Sequence, residues 1–387
     1  MCRTSALSVA SVLLAVTGVC CSSQASAEEP AAVVTVAQEG KADFCGTDER
    51  PILEAIQKLG HSGGTVVIGP GDYTIRQGIK LGSGVTIRGT GRTVLRLPGP
   101  VLVTADAPQG QDFLVLSGTA NFRPDTTIQV CPPSDSRNAN DEKNSLNVTI
   151  KAVEPGKVLL TQPLPRAVPQ QSRVGYGHNL FNIRNAEKYF RLESLILDGG
   201  RNDRIAMPGH VQRCAILAHG NYSYQGGPGP SLIENLQVVA CQIRNCYGRA
   251  VAMYAVGRSR VEGCLIEHIA DEAIDFDHFC VYCEATGNEV RDSVTGVTIN
   301  DGSYCRVQYN HLHRCDVGVI IWWWHMCPQT DIDVENVIAH NFVYAPKTAA
   351  ISVGKRCYRN RVSGNFVEGP IKLDQKDNVA DNNMTLE

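Results

Sequence analysis

Gly287-Asn288-Glu289-Val290 returns in the same register as Tyr309-Asn310-His311-Leu312, His340-Asn341-Phe342-Val343 and Gly364-Asn365-Phe366-Val367. It is preceded by Ala240-Cys241-Gln242-Ile243 and Gly263-Cys264-Leu265-Ile266. The closing apolar residues of the six segments lie 23, 24, 22, 31 and 24 positions apart. A second alternating run follows each: Val251-Ala-Met253, Ile274-Asp-Phe276, Val297-Thr-Ile299, Val319-Ile-Ile321, Ile351-Ser-Val353 and Ile371-Lys-Leu373. Apolar residues at every second position are the mark of a strand. Short strands that recur at this period leave no room for helices between them, so βαβ units are excluded. What remains is a coil of strands stacking turn on turn at the ~4.8 Å inter-strand spacing. The chain therefore reads as all-β, a right-handed parallel β-helix. Asn288, Asn310, Asn341 and Asn365 share one register and are expected to stack as a ladder of side-chain amides.

Working outward, Thr47-Asp-Glu-Arg-Pro51 starts a helix, Ile52, Ile56 and Leu59 give it one apolar stripe, and Gly60 stops it. Such a helix would cap the open end of the core. It is followed by Gly63-Gly64-Thr65-Val66-Val67-Ile68-Gly69-Pro70-Gly71-Asp72-Tyr73. In this helix and the glycine-rich segment after it, the chain resembles the pectate-lyase-like superfamily of secreted β-helix proteins. The resemblance covers about 40–100 and 186–387. It implies the fold, whereas the same fold carries lyases, hydrolases, epimerases and phage or adhesin modules.

Residues 101–185 break the period, and their alternating runs read as a small β-rich insertion. The divisions expected are then 28–100 for the capping helix and first coils, 101–185 for the insertion, and 186–387 for the remaining coils. Residues 198–232, with Gly226-Gly-Pro-Gly-Pro230, read as a long loop on one coil, a place where substrate contacts collect.

A net charge of −3 with mixed signs gives no basic face for nucleic acid. Residues 1–27 have an apolar run ending in Ala25-Ser26-Ala27, the pattern of a signal peptide cleaved after Ala27. Nothing later is apolar enough to span a bilayer, so a secreted or periplasmic protein is expected. That compartment permits disulfides. Twelve cysteines follow the leader, and Cys283 and Cys305 stack on adjacent coils at a Cα spacing of about 5 Å, inside the bridging range.

If the second runs form one sheet, the residues facing away from the core fall in columns. These columns gather Tyr254, Asp275, Asp277, His278 and Asp301 within three adjacent coils, as candidate catalytic residues. His219 is expected at the His278 and Asp301 register on an earlier coil. Asn300, Trp322, Trp323, Lys355 and His219 are the candidate substrate contacts, since aromatic faces suit pyranose rings and Lys355 suits a carboxylate. Two chemistries compete. Abstraction of a uronate C5 proton, in a lyase or epimerase, needs a base, a proton donor and a charge that neutralises the sugar carboxylate. Inverting hydrolysis needs two carboxyls ~6.5–9.5 Å apart. A non-catalytic glycan-binding surface protein is the third reading, and an acidic polysaccharide is the expected partner. Asp271-Glu272-Ala-Ile-Asp275 is similar to the segment in which pectate lyases hold Ca²⁺, with Glu272 in place of Gly. The resemblance thus implies calcium on Asp271 and Asp275. Tyr254, Asp275, His278 and Asp301 supply the residue types that mannuronan C5-epimerases use.

Overall fold

The structure, a computed structural model, describes residues 32–134, 144–184, 187–209, 211–324, 328 and 332–386. The expected leader peptide and Cys327 lie outside them. Among the described residues, 28 strands belong to one sheet system. The pairings between its successive coils are parallel, with the register read from the repeat. Ile243 pairs with Ile266, Ile266 with Val290, Val290 with Leu312, Leu312 with Val343, and Val343 with Val367. The second column runs Val251, Ile274, Val297, Val319, Ile351, Ile371 in the same way. Ile266, Val290, Ile274, Val297 and their neighbours are fully buried in one continuous core. Each such aliphatic side chain contributes about 1.5–3 kcal/mol by leaving water.

The turns explain the asparagines. The residue before each ladder position has a left-handed backbone: Gly287 at φ +64°, Tyr309 at +58°, His340 at +56° and Gly364 at +64°. The turn aims the next side chain into the coil, where its amide spans the gap to the following coil. Asn288 Nδ2 donates to Asn310 Oδ1 at 2.9 Å, Asn310 to Asn341 at 3.0 Å, and Asn341 to Asn365 at 2.9 Å. Asn336, Asn360 and Asn378 form a second, shorter ladder of the same kind.

A helix, Glu49–Leu59, covers the first coils. Asp48 caps it by accepting from the Arg50 amide, and Gly60 ends it at φ +59°. Ile52 and Ala55 are fully buried against the core. Arg123, reaching over from the insertion, donates to Asp48 at 2.9 Å and also binds Glu49, tying the insertion to the cap.

The insertion is an antiparallel six-stranded sheet from Val101 to Gly175, with its own core around Leu114, Ile128, Ile150 and Val174. It is shorter than the expected 101–185, because Phe181–Arg184 already belongs to the parallel sheet, between Ile79–Lys80 and Ile216–His219. The segment 198–232 is likewise not one loop. Ile216–His219 is a coil strand pairing onward with Val251–Tyr254, and the projecting parts lie on either side of it.

Cys283 and Cys305 precede the paired residues Glu284 and Arg306, so they do stand in register, but as free thiols. The expected bridge is not seen. In-register parallel residues hold their Cβ atoms near the ~4.8 Å strand spacing, beyond the ~3.5–4.5 Å that a disulfide spans. Both sulfurs instead donate to carbonyls of the preceding coil, Val256 and Cys280. Among the described residues, no helix is long and apolar enough to cross a membrane.

Candidate functional site

One outward column runs down consecutive coils at the exit of the second strand: Arg184, His219, Tyr254, Asp277, Asn300, Trp322. His219 thus pairs with Tyr254, one residue earlier than the register expected for it. Past the strand ends the chain turns sharply, and Asp301 sits at φ +53°, a conformation that Asp tolerates better than most residues. The turn swings the Asp301 carboxylate beside the His278 ring. His278 Nδ1 lies 2.7 Å from Asp301 Oδ2 and 3.3 Å from Asp277 Oδ1. Asp301 Oδ1 also accepts from the Trp324 amide at 2.8 Å. The Asp301 oxygen is placed to accept from Nδ1–H, which leaves Nε2 as the ring nitrogen turned away from Asp301. Nε2 is 3.4 Å from the Tyr224 hydroxyl.

The space that Nε2 meets is a cleft of about 160 Å³ between this column and the hairpin Tyr222–Ser223/Gly227–Pro228. Tyr222, Tyr224 and Trp324 stand around the imidazole at ring-centre distances of 5.4, 5.0 and 6.3 Å. His219 stacks on Tyr254 at 5.1 Å, and Trp322 also lines the cleft. Burial lowers the pKa of His219 and raises those of Tyr222 and Tyr254, so both phenols keep their protons.

Beneath the cleft lies a charge cluster centred on Arg249, which is 3% exposed. Its Nε is 2.7 Å from Glu272 and 3.7 Å from Asp271; its Nη1 is 3.0 Å from Asp275, 3.3 Å from Asp277, and donates to the Tyr254 hydroxyl. None of these contacts uses Nη2, although Arg249 lines the cleft. Burial pushes Asp275 well above the usual carboxylate range, outweighing the pull of Arg249, and raises Glu272 to about 7. Apart from Arg249 Nη1 beside Oδ2, the Asp275 oxygens have no polar partner among the described residues.

Residues 209–337 match the family model described as the right handed beta helix region. Over this segment the chain is similar to the right-handed β-helix proteins, in line with the coils seen in the structure. The likeness to the pectate-lyase-like superfamily is one of β-helix architecture. Among curated proteins none matches the chain. Solved structures similar to this β-helix include a complex of XylC with xylose, at 11% identity over 91% of this chain and 70% of that one, TM-score 0.46. Others are a DFA-IIIase of Arthrobacter chlorophenolicus with DFA-III (12%, 91% and 84%, TM-score 0.41) and the A-module of a mannuronan C-5 epimerase of Azotobacter vinelandii (13%, 87% and 91%, TM-score 0.36).

The β-helix brings together Tyr254, Asp277, His278, Asp301, Asn300, His219 and Trp322. It does not bring the others with them. Asp275 is fully buried under Arg249 instead of facing a groove. Trp323 packs on the β-helix core with Arg356 over its ring at 4.0 Å, and exposed Lys355 is no part of the cleft lining. Asp271 and Asp275 do not fit calcium, because the Arg249 guanidinium lies within 3.7 Å of the first and 3.0 Å of the second and already supplies their positive charge. Arg249, Tyr222 and Tyr224 were not singled out from sequence. The only signal for Arg249 was a charged residue entering a strand whose neighbour across the register carries two aspartates.

Proposed function

We propose that the protein acts on an acidic polysaccharide by abstracting the C5 proton of a uronate, as a lyase or an epimerase. The observation that carries this reading is the His278 Nε2 lone pair, set by Asp301 and facing an aromatic cleft that contains tyrosine hydroxyls. His278 Nε2 takes the C5 proton, and the electron pair of the C5–H bond moves into the adjacent carboxylate. Arg249, which lines the cleft, supplies the positive charge for that developing charge. In elimination the pair then returns to form the C4–C5 double bond as the C4–O bond breaks, and a tyrosine, Tyr254 or Tyr224, protonates the departing oxygen. In epimerisation the same tyrosine returns a proton to the opposite face of C5. Trp322 and Tyr222 offer faces for the sugar ring. General acid–base groups placed in this way contribute about 10²–10⁴-fold each.

The geometry weighs against the inverting-hydrolase reading. Oxygens of Asp275 and Asp277 that lie 3.0 and 3.3 Å from one nitrogen are closer together than the ~6.5–9.5 Å that leaves room for a water. The test is incubation with alginate, polygalacturonate and xylan in deuterated buffer, read by ultraviolet absorbance of unsaturated uronates, by NMR at C5 and by reducing ends. Absorbance or deuterium at C5 is expected with a polyuronate. Reducing ends with neither signal would establish a hydrolase, and retention of glycan without turnover would establish a binding protein.

A further inference from the structure

A second, larger cleft of about 500 Å³ opens where the six-stranded insertion meets the coils. Its volume is within the ~300–1,000 Å³ usual for ligand sites. One wall is Arg76 and Gln77 on an early coil with Gln212 on a later one; the other is Thr127, Gln129 and Asn147 of the insertion. Eight of the twelve lining residues carry an amide, a hydroxyl or a charged group, a composition suited to the hydroxyls of a sugar and poor for an apolar ligand.

Gln212 makes the case more specific. It is 8% exposed; its Oε1 accepts from Gln129 Nε2 at 3.4 Å, while its own Nε2 is buried with no partner among the described residues. A buried donor without an acceptor costs about 1–3 kcal/mol, which a ligand hydroxyl or carboxylate would recover. Gln212 follows Val211, which lines the His278 cleft, so the two clefts flank one short segment. Asn179 anchors that segment by donating to the Val211 carbonyl at 3.2 Å.

We propose that this cleft is a second saccharide site, which holds a distal unit of the same glycan chain through the Gln212, Gln129 and Asn147 amides and the Thr127 hydroxyl. The ligand class rests on the polysaccharide reading of the His278 cleft; the existence of the site does not. An extended chain that occupies both clefts binds more tightly than one unit alone, because the second contact is intramolecular.

The experiment is affinity electrophoresis of the full chain through gels holding alginate, polygalacturonate or xylan, in a His278→Ala background so that the gel ligand is not consumed. Thr127 is exposed, so Thr127→Trp fills the cleft mouth without touching a core; Gln212→Leu removes the unpartnered donor, with melting temperature as the check on folding. Each should weaken retention at least tenfold on one of the polymers. Trp322→Ala, in the other cleft, should weaken it separately. Retention unchanged in both Thr127→Trp and Gln212→Leu, or no retention of the unsubstituted background on any gel, overturns the second site. Retention lost in those two variants while the wild-type chain shows no turnover on any polymer keeps the second site and removes the catalytic reading instead.

Discussion

Replacing Arg249 by Met should destabilise the protein by about 3–4 kcal/mol at pH 7. The side chain is 3% exposed and lies within 3.3 Å of Glu272, Asp275 and Asp277, the last two being 0% and 2% exposed. Removing one partner of a buried pair costs about 3–5 kcal/mol, because the other charge stays behind without compensation. The carboxylates can escape by taking up protons, and that sets a ceiling. Asp275 is already driven toward the neutral form by burial, and Glu272, raised to about 7, is near its midpoint at neutral pH. One further buried carboxylate must then be neutralised. Against an unfolded carboxylate near pKa ~3.9, this costs about 4 kcal/mol at pH 7 and about 1.4 kcal/mol less for each unit of acidification. The sign follows from linkage: carboxyls whose folded pKa is raised stabilise fully below their unfolded pKa, and the contribution is lost as pH rises through the folded value. The Arg249→Met penalty should therefore shrink from pH 7 toward pH 5.

Urea unfolding followed by tryptophan fluorescence suits the measurement, since all three tryptophans are the run Trp322–Trp324 beside the site. Far-ultraviolet circular dichroism on the same samples checks that the transition is global. A double-mutant cycle with Asp277→Asn should give a coupling of at least ~2 kcal/mol, in the range found for groups in direct contact. A penalty under about 1 kcal/mol at pH 7, or one that does not change with pH, would mean that Arg249 does not compensate these charges.

His278→Ala and Asp301→Asn should each lower turnover by about 10²–10⁴-fold, and the activity left in Asp301→Asn should show an altered pH profile because the Nδ1 proton has lost its acceptor; equal pH profiles would show that Asp301 does not set the tautomer. Burial lowers the pKa of His178 to about 4, so its stabilising contribution is complete above ~6.5 and disappears as pH falls toward 4. His178→Gln should accordingly flatten the loss of stability over that acid range, by up to about 3 kcal/mol, and an unchanged slope would count against the shift. Alkylation of the denatured, unreduced protein followed by peptide mapping should find Cys283 and Cys305 as free thiols, and a mass two units light for the linked peptides would show that the pair bridges after all. Native Cys280 and Cys305 should react slowly, since burial holds both well above the usual thiol range.

The architecture was legible because a solenoid repeats its own answer. Any one of the segments ending in Ile243, Ile266, Val290 or Leu312 is too short to separate strand from helix, whereas the constant spacing fixes both the strands and their partners. The asparagine ladder followed from the same register. The insertion and the segments around Ile216–His219 have no repeat, so their boundaries were read only approximately. Their position over the sheet depends on contacts distant in sequence, such as Asn179 to Val211.

The site shows the limit more sharply. A period of two tells which side chains point away from the helix core but not what lies over them. The outward face is covered: Tyr222 and Val211 pack on Cys214, Leu217, Ala252 and Tyr254 in a small separate cluster. That cover turns Asp275, Asp277 and Asp301 from surface carboxylates into buried ones, forces the compensating Arg249, and leaves His278 in an aromatic cage. A trace of it was present in the sequence. Leu217 and Ala252 stand in the same outward column as Asp275, and apolar residues at outward positions beside an acidic one indicate a covering segment better than they indicate water. The chemistry at this site is thus set less by which residues the coils present than by the cover over them, the part of the molecule that the repeat does not encode.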